Sequence, residues 1–154
     1  LLVSLFKTAS VKYDFNPRNP DDSHLLGERV SLIDYYLPYP GKVLPDNPLW
    51  TVKAARDKLW LLVNTTPTRE AELNLLFADK RLVSALILFE KGNASLGFTT
   101  LTKGEKYLEE SYFLEQINRA NGLETSELLQ KLALSSLKHY EIITYILTIA
   151  PKFL

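Results

Sequence analysis

The sequence predicts an all-α protein: an elongated up-down bundle of one shorter and three long helices, behind an extended, proline- and tyrosine-rich N-terminal arm. Three observations predict it. Six of the eight prolines fall at or before position 48, and helix-period apolar patterning begins only there. Four cap-and-stop signals then divide the remaining chain into four stretches. The connections between them are short, roughly two to six residues, which favours antiparallel neighbours. The chain therefore divides into an arm with a Pro-aromatic entry segment, residues 1–47, and a helical bundle, residues 48–154.

In the arm, "NPRNPDDS" is a turn cluster, and "VKYDF" (11–15) and "RVSLIDYY" (29–36) alternate as short strands or extended segments would. The entry segment "DYYLPYPGKVLPDNPLW" (34–50) resolves into parts with different physics. Tyr39-Pro40-Gly41-Lys42 suits a type II turn, with proline and glycine at its two centres. Leu37, Tyr39, Leu44 and Asn47 each precede a proline and are pushed away from helix, so the segment stays extended until Pro48. Tyr35, Tyr36, Tyr39 and Trp50 are left as a cluster able to seal the end of the bundle. They are also the candidate contacts for a partner wherever they are exposed.

Asn47 and Pro48 open the first helix as N-cap and first helical residue, and it runs to about Asn64. Thr66 and Pro67 repeat that arrangement for the second, which Gly92 stops after Lys91. The third covers about Ser95–Ala120 and ends at Asn121-Gly122. Thr125 or Ser126 caps the fourth, which continues to about Ala150 before Pro151. The second helix carries the stripe Leu75, Ala78, Leu82, Ala85, Leu86, Phe89 and is apolar nearly all round at its end, so it is the expected centre. The fourth offers Leu128, Leu132, Leu137, Tyr140, Ile143 and Leu147. The third is thinner, with Leu101, Tyr107, Leu108, Tyr112, Leu114 and Ile117 among many charges, and is the expected exposed member.

Composition excludes several classes. Hydrophobic residues make up 46% and charged residues 23% of the 154, which is globular. Eighteen basic and eighteen acidic side chains cancel, in each third of the chain as well as overall, so no basic face marks a nucleic-acid partner. No cysteine is present, which removes disulfides and thiolate metal sites. "LLVSLFKTAS" at the start reads equally as the tail of a signal or anchor and as a short strand, so membrane proximity is an open expectation.

No motif with a reaction attached is present. Ferritin-like metal sites need Glu-x-x-His, whereas Ser136 stands three residues before His139 and Asp21 before His24. Glu105 and Glu109 share a face but fit a solvated pair better, and no metal and no cofactor are expected. A haem at His139 survives only as a runner-up beside the commoner partly exposed helical histidine. No nucleophile elbow or phosphate loop occurs; "LTKGEKY" lacks the spacing. The two Asn-x-Ser/Thr sites, "NTT" (64–66) and "NAS" (93–95), fit helix capping at least as well as glycosylation. On the first helix, Arg56 falls on the face of Val52, Leu59 and Val63 and calls for a carboxylate, with Asp79, or else Glu72 or Glu70, as the expected partner in an interhelical ion pair. The sharper alternative there is an anion site.

The stretches "YYLPYPGKVLPDNPLWTVKAARDKLW", "ADKRLVSALILFEKGN" and "TLTKGEKYLEES" resemble an uncharacterised family of exported bacterial helical domains, a domain of unknown function frequent in candidate-phyla bacteria. The likeness spans about residues 35–112, with Trp50 where that family usually has tyrosine. It implies export and a helical fold, and it implies no reaction. The expected function is therefore non-catalytic: an exported envelope or extracellular domain that binds protein or its own copies as a scaffold or assembly subunit. The alternatives are a bundle that binds an apolar ligand or cofactor, with a cavity at the Trp50/Trp60 end or between the second and fourth helices, and an envelope enzyme.

Overall fold

The computed structural model describes residues 32–63 and 66–151. The run 11–15, His24 and Asn64 lie outside the described residues. Four helices follow one another: α1 (Trp50–Leu62), α2 (Pro67–Glu90), α3 (Ala94–Ala120) and α4 (Ser126–Ile149). This is the expected all-α bundle, one helix short and three long. No strand occurs among the described residues, and Leu32–Tyr36 runs as irregular chain. No helix among the described residues is long and apolar enough to cross a membrane.

Local chemistry sets most of the boundaries. Thr66 and Pro67 open α2 as N-cap and first helical residue. Gly92 and Gly122 take φ of 79° and 78°, values glycine adopts without strain. Each closes its helix with paired backbone bonds, Gly92 N–H to Phe89 and Asn93 N–H to Leu88, then Gly122 N–H to Arg119 and Leu123 N–H to Asn118. The start of α1 falls two residues later than expected. Asn47 Oδ1 accepts the Leu49 N–H at 2.9 Å and Asn47 O accepts the Trp50 N–H, so asparagine closes a local turn that holds Pro48 and Leu49 ahead of the helix.

Contacts along α2 and α3 run in opposite order. A Cβ on Gly97 would meet the Phe89 ring, one on Gly104 would meet Arg81 Cβ at 3.1 Å and the Ala78 carbonyl at 3.4 Å, and Ser111 Oγ donates to the Ala71 carbonyl at 2.7 Å. These contacts explain the thin third helix. Gly97, Gly104, Ser111 and Asn118 recur every seven residues and all are buried, the first three against α2. Small residues let the two backbones approach closely, so α3 needs no broad apolar stripe. Tyr112 and Ile117, expected on that stripe, are exposed.

The core is continuous along α2. Leu82, Ala85, Leu86 and Phe89 meet Leu101, Ile142 and Ile146 at one end; Ala71 and Leu75 meet Leu128 and Leu132 at the other. The entry segment belongs to this core. Leu37 is buried in the first cluster, Leu44 and Pro40 are buried too, and Gly41 turns the chain with φ of 87°. Lys53 of α1 donates to the Pro40 and Val43 carbonyls, which ties the clasp to the bundle.

Two helices sit rotated from expectation. On α4 the buried stripe is Leu128, Leu132, Ser135, His139, Ile142, Ile146, at unbroken three- and four-residue steps. Leu137, Tyr140 and Leu147, expected inside, face out. On α1, Val52, Leu59 and Val63 are exposed, while Asp57 and Trp60 are buried. Trp60 sets that rotation, because its ring packs on Phe77 (centroids 6.4 Å apart), Leu73 and Leu76. One buried indole covers more apolar area than small aliphatics that reach no neighbour.

Candidate functional site

Several of the buried polar residues meet at one place. Asp79 on α2, 0% exposed, accepts three hydrogen bonds from two elements: Tyr35 OH at 2.8 Å in the entry segment, and Ser135 Oγ at 2.7 Å and His139 Nε2 at 3.2 Å on α4. The other imidazole nitrogen, Nδ1, lies 2.7 Å from Glu105 Oε1 on α3. One five-residue network thus joins the clasp and the three long helices. His139 is 1% exposed and stands between two carboxylates. Burial pulls its pKa down, but the hydrogen bonds and charges of Asp79 and Glu105 outweigh burial and hold it up at about 9. At neutral pH the ring is an imidazolium donating from both nitrogens. Burial and the Asp79 carboxylate push the Tyr35 phenol well above its ordinary value, so Tyr35 is a pure donor to Asp79.

The chemistry open to this arrangement is limited by geometry. Ser135 donates to Asp79 and not to His139, so the pair is not a nucleophile with its base. Among the described residues no group of three or more His, Asp or Glu side chains is placed to hold a metal ion. The network is a buried charged cross-link, with each member donating or accepting within it.

The expected Arg56–Asp79 ion pair does not form. Arg56 points outward, with its side chain 52% exposed, and pairs with its neighbour Asp57 at 2.6 Å. The reason is the rotation imposed by Trp60, which leaves the Arg56 face in solvent. Asp79 takes its positive partner from His139 instead. His139 is buried, not the partly exposed helical histidine expected, and Glu105 is its partner, not half of a solvated pair with Glu109.

The four aromatic candidates separate. Tyr35 is committed to Asp79, and Tyr36 is half-buried. Tyr39, at 38%, is the exposed member of the three tyrosines. Trp50 is contacted by two cations, Arg81 Cζ 4.3 Å and Lys53 Nζ 4.8 Å from its ring centroid. Trp50 also lines a pocket, as anticipated for that end of the bundle, but the lining is cationic and Trp60 takes no part in it. Sequence reasoning overlooked Arg81, whose signal was a basic residue at the head of the apolar run "LVSALILF" of the second helix.

The face of α1 turned to solvent is apolar. Leu49, Val52, Leu59, Leu62 and Val63 are all exposed, Leu62 at 84% and Val52 at 68%, within fifteen residues. Arg56 stands among them.

A family model described as a domain of unknown function, DUF5667, matches residues 42–151. The match contains Asp79, Glu105, Ser135, His139 and all four helices, and Tyr35 precedes it. No curated protein and no solved structure matches the chain.

Proposed function

The chain belongs to the DUF5667 family, a domain of unknown function, and from that premise we propose that it is a non-catalytic binding domain that engages another protein, or its own copies, in an exported envelope or extracellular assembly. The observation that carries this reading is the solvent-facing apolar side of α1. Exposed large apolar side chains scattered singly are ordinary, but five on one short helix and its flanks make a contiguous surface of the kind that protein interfaces cover. Arg56 in its midst matches the enrichment of arginine at such surfaces. The groups that could do chemistry, Asp79, His139 and Ser135, are instead buried and bonded to one another. The family resemblance of the tyrosine-proline entry is what suggests export.

The test introduces charge on that face without touching the core. Val52→Glu with Leu59→Glu is expected to leave the unfolding midpoint within about 0.5 kcal/mol of wild type, as surface changes do. The same double variant is expected to abolish cross-links from a photo-reactive residue placed at position 62. Cross-linking equal to that of a probe at Glu109, on the exposed side of α3, would refute the α1 face as the contact surface.

A further inference from the structure

A pocket of about 470 Å³ opens where α1, α2 and α3 meet. Lys58, Arg81, Lys103 and Lys106 line it, against the single carboxylate of Glu110. None of these four cations is ion-paired among the described residues. Asp57 supplies no spare counter-charge, because it already pairs with Arg56. The chain as a whole is neutral, so this excess of positive charge is a local construction.

Arg81 anchors the pocket. It is 8% exposed, and its guanidinium lies against the Trp50 ring. Burial works against its charge, with Tyr107 and Asp57 opposing that effect only in part. It is closely packed at its base, since a Cβ on Gly104 would lie 3.1 Å from Arg81 Cβ. A buried arginine fork with three mobile ammonium groups around it is the arrangement that recognises a multiply charged oxyanion. A lone carboxylate would offset only one of four charges. The volume suits one small molecule, not a strand of nucleic acid. Trp50 and Tyr107, both in the lining, offer the flat apolar wall that a ring would stack on.

We propose that this pocket binds a small soluble phosphorylated ligand, its phosphoryl groups on Arg81, Lys103 and Lys106 and its ring against Trp50 and Tyr107. Trp50 then reports occupancy. Titrating the full chain with pyrophosphate or glucose 1-phosphate should change tryptophan fluorescence saturably at millimolar concentration or below, and unphosphorylated glucose should not. Lys103 and Lys106 are exposed and can be changed without disturbing the core. The Lys103→Ala, Lys106→Ala double variant should unfold like wild type and bind about tenfold or more weakly, the loss of charge-assisted hydrogen bonds. Equal affinity in that variant, or no saturable response to either phosphorylated probe, would overturn the proposal. So would adsorption to phosphatidylglycerol vesicles that pyrophosphate fails to compete, since the phosphate recognised would then be a lipid headgroup.

Discussion

Replacing Asp79 with alanine is expected to destabilise the domain by about 3–5 kcal/mol, the cost of removing one partner from a buried ion pair. Three donors lose their acceptor at once: Tyr35 OH, Ser135 Oγ and His139 Nε2. Two of them lie in the dry interior, because Asp79, His139 and Ser135 are almost wholly buried, while Tyr35 is partly buried. The imidazolium would keep only Glu105. Total stability of a domain this size is about 5–15 kcal/mol, so the variant should sit near the edge of folding. Tyr35→Phe removes one of the three hydrogen bonds and should cost about 1 kcal/mol. Urea unfolding followed by helical circular dichroism measures both. An Asp79→Ala variant within about 1 kcal/mol of wild type would mean that the network does not hold the helices together.

The second large effect is on pH. His139 has a folded pKa of about 9 against an ordinary value of 6.5, so its proton is bound more tightly in the folded state. A raised pKa contributes stability that is fully present below the unfolded value and is lost as pH rises through the folded one. The window is therefore 6.5 to 9, and the total loss across it is on the order of 3 kcal/mol. Lys53 acts in the opposite direction at the upper end. Burial lowers its pKa to about 8, with Lys80, Arg56 and Arg81 adding to that and Asp57 opposing, so from there upward the folded state sheds a proton that the unfolded chain still holds. Stability should thus fall most steeply between about pH 6.5 and 8 and flatten beyond. Unfolding free energies at several pH values test this, and His139→Gln should remove the decline. A wild-type curve that is flat or rising from pH 6.5 to 8 would contradict the charged bridge.

How much of this was legible in the sequence follows from what each helix buries. Helix ends were readable, because Pro67, Gly92, Gly122 and Pro151 act through local backbone geometry that needs no neighbour. The stripe of α2 was readable too, since a central helix buries apolar residues on nearly every side. The inner face of α4 was not. Its true phase passes through Ser135 and His139, and a search for apolar residues slides from those polar positions onto Leu137 and Tyr140. On α1 two faces competed, and only the contact of Trp60 with Phe77 decides between them. On α3 the informative residues are small, and a glycine at a helix interface is visible only when the opposing backbone is in place. The candidate site suffered from the same cause. A network assembled from four elements leaves no spacing motif, and the Asp79 partner was sought on the wrong helix because the partner's own helix was read in the wrong phase.

The structure places Asp79, Ser135 and His139 in a buried cross-link, apart from the surface proposed for recognition. Nuclear magnetic resonance of the His139 ring tests that division directly. Between pH 5 and about 9 the ring should be doubly protonated, with both N–H protons exchanging slowly with solvent, and it should titrate near 9. A ring that titrates at or below its ordinary value near 6.5, with fast solvent exchange, would show an accessible base in place of the buried bridge, and would return the interior of this bundle to consideration as a site of chemistry.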